Sequence, residues 1–103
     1  MSLSASTFNN SGLEDVKLPR ALRVIEEQTF WNCRNLRSVT FPNGSELEEI
    51  REAAFQRSGL ESFAAPRSLR KIGDMAFSEC PELKDFRLTE NVQELGWLCL
   101  WKT

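Results

Sequence analysis

A repeating pattern of apolar residues constrains this 103-residue chain more than any other feature. Leucines recur at intervals of 23, 24 and 23 residues, and each is followed by the same skeleton of apolar positions. These leucines are Leu13, Leu36, Leu60 and Leu83. One such unit is too thin to surround its own leucines, so neighbouring units must stack and share a core that runs along the stack.

The skeleton of each unit predicts two short strands and a turn. Its first segment, Leu-x-x-Val-x-Leu, predicts a strand that pairs in parallel with its equivalents in neighbouring units. The proline that follows ends this pairing because it has no N–H group. The next segment, Leu-x-x-Ile, predicts a second short extended stretch. Residues 26–31 and 51–56 are better helix formers, and we expect one short α-helical or 3-10 turn there.

The fold class predicted from this skeleton is an α/β repeat solenoid of about four units. Residues 1–12 form a partial N-terminal repeat or cap, because Leu3 and Phe8 keep the five-residue spacing that separates Ile25 from Phe30. Residues 13–103 form the repeat domain, with units at 13–35, 36–59, 60–82 and 83–103.

The second unit departs most from the common pattern. It gains two residues in the stretch 43–46 and loses one before Leu60. Both changes fall where turns are expected, because Asn-Gly and Ser-Gly are turn signals. The fourth unit has Thr89 in the position of the proline.

The composition argues against catalysis. The chain has no histidine, which excludes Ser-His-Asp and Cys-His mechanisms and histidine-ligated zinc. Asp15 with Asp85, or Glu26 with Glu52, could be named as carboxylate pairs, but paired acids need a defined cleft. The glycines are isolated and form no phosphate-binding loop. We therefore expect no enzyme activity, no cofactor and no metal.

The three cysteines predict buried, reduced thiols. They are widely spaced and form no CxxC pair, so a thiolate metal site or a disulfide framework has no support. Cys33 and Cys80 occupy equivalent positions two repeat steps apart, about 10 Å from strand spacing. That separation exceeds the reach of a disulfide bond.

Charge and hydropathy limit the partners. Thirteen basic and fifteen acidic residues weaken the case for nucleic-acid binding. The longest apolar run, residues 98–101, is far too short for membrane insertion. The N-terminus lacks the basic and apolar regions of a signal peptide. The location stays open: cytoplasmic by default, or the cell surface if the chain is a fragment of a longer parent.

Two stretches carry a family resemblance. Residues 30–42 read Phe-x-x-Cys-x-x-Leu-x-x-Val-x-Phe-Pro, and residues 65–80 contain Pro-x-x-Leu-x-x-Ile-x-x-x-Ala-Phe-x-x-Cys. Both resemble the BspA-like, or Treponema pallidum-type, leucine-rich repeat, over roughly residues 13–103. Ser58 departs from its cysteine position. The resemblance implies a curved array without catalytic residues, in a family implicated in cell adhesion and host-protein binding.

The outward positions of the first strand are the candidate partner-binding face, since alternate residues of a strand point to opposite sides. These positions are Asp15, Lys17, Ser38, Thr40, Ser62, Ala64, Asp85 and Arg87. They predict a shallow pocket, neutral in the middle and charged at both ends. The alternative is an ordinary solvated strand surface. Carbohydrate binding by this face would lack an aromatic platform.

The second strand predicts a ladder of ion pairs between units. Opposite charges occupy equivalent positions in Arg23–Glu48–Arg70, Glu49–Lys71–Glu94 and Glu26–Arg51. Each exposed pair contributes about 0.2–1 kcal/mol, and its larger effect is to fix the stacking register. The alternative is a mixed-charge docking strip.

The C-terminal segment ends in an unusually apolar stretch. Trp97 and Trp101 are four residues apart, with Leu98 and Leu100 beside them, whereas terminal repeats usually present a polar outer face. The tryptophans could fold back as a cap, pair with another chain, or mark a truncated parent.

Two functions therefore remain in competition. One is a non-catalytic protein-binding repeat module with an unidentified protein partner. The other is a structural scaffold that forms a homo-oligomer through the Trp97/Trp101 end.

Overall fold

The computed structural model describes residues 2–3, 8, 12–97 and 100, and within them the chain forms nine short strands and no helix. The strands are β1 (Ser2–Leu3), β2 (Asp15–Lys17), β3 (Val24–Ile25), β4 (Ser38–Thr40), β5 (Glu49–Ile50), β6 (Ser62–Ala64), β7 (Lys71–Ile72), β8 (Asp85–Arg87) and β9 (Glu94–Leu95).

Except for β4 and β6, which do not pair, the strands pair in parallel with their equivalents in neighbouring units, as the repeat predicts. The second strands form one five-stranded sheet in the order β1-β3-β5-β7-β9. Ile25 lies beside Ile50, and Ile50 beside Ile72. The first strands, β2, β4, β6 and β8, are called the strand layer below. They form two separate pairs, β2-β4 and β6-β8.

The core is continuous along the stack. Leu36 and Leu60 are fully buried, and Leu83 packs against the same cluster. Four phenylalanine rings stack in a column with successive centroid distances of 5.4, 5.2 and 5.3 Å and nearly parallel planes. These rings belong to Phe8, Phe30, Phe55 and Phe77. Each such contact adds about 0.5–1.5 kcal/mol beyond the area it buries.

The predicted helical turns at 26–31 and 51–56 are wrong, because both stretches are non-helical turns. The N–H groups of Gln28, Phe30 and Asn32 donate to carbonyls of the following unit at 2.8–3.0 Å. A helix would need those donors for its own bonds. Gln28 and Asn32 also have left-handed backbone angles, φ 55° and 58°, which break a helix. The same angles recur at Ala53, Arg57, Met75 and Glu79.

Two of the cysteines link neighbouring units. Cys33 and Cys80 are free and buried, as predicted, whereas Cys99 lies outside the described residues. Each of the two thiols donates to a phenylalanine carbonyl of the preceding unit, Cys33 to Phe8 at 3.0 Å and Cys80 to Phe55 at 3.1 Å. Burial raises the pKa of the Cys80 thiol, which stays protonated as a donor at neutral pH.

Candidate partner-binding face

The eight residues predicted for the candidate face all lie on the strand layer. Seven are exposed and Ser38 is half-buried, while the residues between them point into the core. Parallel pairing places Asp15 beside Ser38 and Ser62 beside Asp85. The structure therefore gathers the predicted residues onto one side of the molecule, in two groups of four.

The first group centres on a hydrogen bond between strands. The hydroxyl of Ser38 donates to the carboxylate of Asp15 at 2.6 Å. Lys17 lies beside Thr40 on the neighbouring strand, and both side chains are exposed. Neither makes a side-chain bond within the described part of the chain. Lys17 and Thr40 are thus available to an external group.

The second group pairs its charges along one strand. Arg87 Nε donates to the Asp85 carboxylate at 3.0 Å, with both side chains well exposed. This hydrogen bond, with the charge of Asp85, raises the pKa of Arg87. Ser62 and Ala64 lie on the adjacent strand. The second group therefore has its charges on β8 and its small side chains on β6.

The strand layer is interrupted between its two groups. Glu61 N–H donates to the carbonyl of Arg37 at 3.1 Å just before β6, so the two strands begin in contact. Beyond that point β4 and β6 are not paired, although both are described in full. The interruption opens toward the carboxyl ends of the strands.

One backbone donor is left open by this interruption. In the first pair Leu18 N–H donates to Thr40 at 3.0 Å, and in the second pair Ala65 N–H donates to Arg87 at 2.9 Å. The equivalent N–H, that of Phe41, has no such bond to the strand across the gap or to any other group in the described residues.

Side-chain size explains why the strands part. The position that precedes the turn is occupied by Leu18, Phe41, Ala65 and Leu88 in successive units. The largest and the smallest of these side chains therefore face each other at the junction. The ring of Phe41 packs edge-on against Phe63, with centroids 5.9 Å apart, instead of stacking over Ala65.

A cleft of about 550 Å³ lies at this junction. It is lined by residues 39–45 on one side and 64–67 on the other, and is called the junction cleft below. None of these lining residues is acidic, although the whole chain has more acidic than basic residues. The exposed guanidinium of Arg67 has no ion-pair partner within the described residues.

Neither this cleft nor a role for Arg67 follows from the polarity pattern of the repeat. The signals that could have revealed them are the change from Phe41 to Ala65 at equivalent positions and the insertion at 43–46. Both of these changes keep the polarity pattern of the repeat while they alter side-chain volume and turn length.

The opposite side carries part of the predicted ion-pair ladder. Glu26 pairs with Arg51 at 2.8 Å, and Lys71 with Glu94 at 3.7 Å, as predicted. Arg51 also pairs with Glu49 of its own unit at 3.1 Å. The hydrogen bond that Arg51 donates to the Glu49 carboxylate is the main cause of the raised pKa of Arg51.

The predicted pairing of Arg23 with Glu48 is wrong. Arg23 pairs with Glu46 at 3.5 Å, a residue of the two-residue insertion stretch. The inserted residues bring a nearer carboxylate within reach of the guanidinium. Of the predicted ladder, Glu26–Arg51 and Lys71–Glu94 are thus present. The predicted contacts of Glu48 with Arg70 and of Glu49 with Lys71 do not occur as ion pairs within the described residues, where Glu49 pairs with Arg51 instead.

The C-terminal end of the stack is apolar and open. Leu95, Trp97 and Leu100 are 55%, 72% and 40% exposed. β9 pairs with β7 on one side, and its other edge has no strand partner within the described residues. Trp97 leaves most of its surface in solvent, so it does not fold back as a cap. Trp101, which was predicted to act together with Trp97, lies outside the described residues.

The first of the named carboxylate pairs, Asp15 with Asp85, is separated by the width of the strand layer. Asp15 lies on β2 and Asp85 on β8, the first and last strands of the layer. No cluster of three metal-ligating side chains occurs among residues 12–97 or the other described positions. The described chain also has no helix that could cross a membrane.

Stacked units with parallel strands, a leucine core and a phenylalanine column define a β-solenoid of leucine-rich repeats. A family model described as the BspA type leucine-rich repeat region, in six copies, matches residues 1–103. The chain belongs to the BspA-type leucine-rich repeat family.

Solved structures agree with this assignment. The T. pallidum leucine-rich repeat protein TpLRR superposes with a TM-score of 0.84 at 36% identity, over 92% of this chain and 44% of that one. The pneumococcal vaccine antigen PcpA gives 0.76 at 24% identity, over 87% and 28%. A leucine-rich repeat protein from Bacteroides ovatus gives 0.63 at 17%, over 92% and 36%. The last two support the fold alone.

The chain spans less than half the length of each of these solved proteins. No curated protein sequence matches it.

Proposed function

We propose that this chain is a non-catalytic protein-binding module whose partner contacts the strand layer. The observation that supports this is the contrast between its two sides. On the five-stranded sheet, charged side chains pair with each other across units, as Glu26 does with Arg51. On the strand layer, Lys17, Thr40 and Ser62 are exposed and make no side-chain bonds within the described residues.

The unpaired groups of Lys17, Thr40 and Ser62 suit recognition, because a partner can bond to them without first breaking a side-chain bond within the described residues. Cell adhesion or host-protein binding is the context that family membership suggests for this chain.

The test is affinity capture from cell extracts with a matched pair of variants. Lys17→Gln with Ser62→Arg blocks the strand layer and leaves the net charge unchanged. Arg70→Gln with Gln93→Arg makes the same exchange on the five-stranded sheet, where both side chains are exposed. We expect the first variant to lose a captured protein by at least about tenfold and the second to retain it. Equal capture by both variants would contradict the proposal.

A second function, self-association through the C-terminal end, is favoured by a separate observation. Leu95, Trp97 and Leu100 expose large apolar side chains beside the open edge of β9. Exposed strand edges and apolar patches commonly pair with another chain.

Light scattering after size-exclusion chromatography tests this second function. It requires a dimer whose fraction rises with concentration and disappears in Trp97→Glu. Gln93→Glu, with the same added charge on an exposed neighbour, should leave the dimer intact. A monomer at all concentrations, or a dimer unaffected by Trp97→Glu, would contradict it.

A further inference from the structure

We infer that the junction cleft binds an extended peptide segment through its backbone and a carboxylate. The inference rests on the proposed function, since it specifies where on the strand layer a protein partner is held and by what chemistry. It is carried by three features of the cleft, taken in turn below.

The first feature is an unused backbone donor at a strand end. Leu18 and Ala65 donate their N–H groups to strand carbonyls at 3.0 and 2.9 Å, and Phe41 has no equivalent bond. Phe41 is one of the residues that line the cleft, so this unbonded donor belongs to the cleft wall. A peptide carbonyl is the group that fills this position in the first and third units, and an added extended segment can supply one.

The second feature is charge. Arg67 has no ion-pair partner in the described chain, and the lining of the cleft contains no acidic side chain. The hydroxyl of Thr40 and the amide of Asn43 are further lining groups without side-chain bonds in the described residues. Unused donors around one cation favour a carboxylate, which accepts charge-assisted hydrogen bonds.

The third feature is shape. Pro42 and Pro66 border the cleft and have no N–H groups, so neither can continue the strand pairing and close it. Ala65 is small where Leu18 and Leu88 are large, and this difference leaves the space open. The cleft volume of about 550 Å³ suits a few residues of extended chain with small side chains.

A titration followed by amide NMR tests the inference directly. The probe is N-acetyl Ser-Val-Ala-Glu with a free C-terminal carboxylate, compared with the neutral amide of Ser-Val-Ala-Gln. We expect the acidic peptide to shift the Phe41 N–H and Arg67 Nε signals, and to bind at least about tenfold more tightly than the neutral one. Equal affinities, or shifts confined to residues away from the cleft, would overturn the inference.

Three variants extend the titration. Arg67→Gln removes the cation, and Ala65→Leu fills the cleft with the residue found at positions 18 and 88. Arg70→Gln removes the same charge from the opposite side. The first two should weaken the acidic peptide by about tenfold or more, and the third should leave its affinity unchanged. Identical losses in Arg67→Gln and Arg70→Gln would show attraction by net charge alone and would overturn the inference.

A sulfated heparin tetrasaccharide is the last probe in the NMR titration. If it shifts Phe41 and Arg67 and the acidic peptide does not, the cleft is a glycan sulfate site and the inference is wrong.

The two proposals fail separately. A captured partner that is lost with Lys17→Gln/Ser62→Arg but kept by Arg67→Gln and Ala65→Leu contradicts the cleft inference and supports the proposed function. A partner insensitive to every strand-layer variant contradicts the proposed function, and peptide binding at Phe41 would still support the cleft.

Discussion

The two sides of this solenoid are built from the same repeats, yet one is continuous and the other is broken. On the five-stranded sheet, the inward position is Ile25, Ile50 and Ile72 in successive units, and the pairing runs through without interruption. On the strand layer, the position before the turn changes from Phe41 to Ala65, and the pairing stops there.

The difference shows what successive units must keep constant for the strand pairing to continue. Polarity keeps a side chain on the correct side of the sheet. Constant volume keeps neighbouring backbones within hydrogen-bonding distance, because protein interiors are close-packed and transmit a change in size to the backbone. Where the difference in volume is largest, between Phe41 and Ala65, the two strands part and a cleft opens. The uniform side therefore provides stability, and the variable side provides the candidate site.

Phe55→Ala should cause the largest loss of stability, because it breaks the continuous side at its centre. Phe55 is fully buried and stacks on both Phe30 and Phe77. Truncating such a ring costs about 3–5 kcal/mol in unfolding free energy, measured by urea denaturation.

Phe41→Ala is the matched change on the broken side. Phe41 is half-buried with one edge-on ring contact, so its loss should be less than half as large. Similar losses of unfolding free energy in the two variants would contradict the idea that the continuous side provides most of the stability.

Gly59→Ala should cause the next largest loss of stability. It tests how tightly the chain packs at the point where the second unit is one residue shorter than the pattern. A Cβ at Gly59 would lie 2.2 Å from the carbonyl oxygen of Arg34, so backbone must move to admit it. We expect a cost of about 1–3 kcal/mol in thermal or urea unfolding. Gly12→Ala is the control, since a Cβ there meets nothing within 4 Å. A neutral Gly59→Ala would mean that the shortened turn is loosely packed.

Much of the continuous side could be predicted from the sequence. The leucine period, the parallel pairing and the buried thiols of Cys33 and Cys80 follow from polarity and spacing, and the structure bears them out. The helical turn at 26–31 could not be excluded by propensity alone. Whether its N–H groups bond locally or to the next unit depends on stacking, which overrides a weak local preference.

The broken side was harder to predict. Its eight outward residues were identified by alternation, but the cleft between them depends on the volumes of Phe41 and Ala65 and on the inserted turn. The same insertion redirects Arg23 from Glu48 to Glu46. Local departures from a repeat thus carry the information that the consensus pattern leaves out.

Amide hydrogen exchange would sharpen the comparison without a mutation. The N–H of Phe41 has no partner in the described chain, whereas those of Leu18 and Ala65 are hydrogen-bonded. We expect the Phe41 amide to exchange at least about tenfold faster than either equivalent, because local opening is not needed. The Phe30 amide, bonded to Ala54 at 2.8 Å on the continuous side, serves as a protected reference. Equal protection of the Phe41 and Ala65 amides would mean that β4 and β6 are paired in solution.

A small pH effect should come from the continuous side, where Cys80 links two units. Burial is the main reason that the pKa of the Cys80 thiol is raised. The folded state then keeps the thiol proton to higher pH than the unfolded state does. The associated stability is complete below the thiol pKa of the unfolded chain, about 8.5, and is lost as the pH rises above it.

The matched variant for this effect is Cys80→Ser, because Ser58 already occupies the equivalent position and its hydroxyl lies 3.4 Å from the Cys80 sulfur. Under reducing conditions, the stability advantage of the parent chain over the variant should shrink between about pH 7 and pH 10, as measured by urea unfolding. Taking the difference between the two proteins cancels the titration of all other groups that they share. A constant difference across this range would mean that Cys80 is no more buried than in the unfolded chain, and the unit-to-unit thiol contact would lose its support.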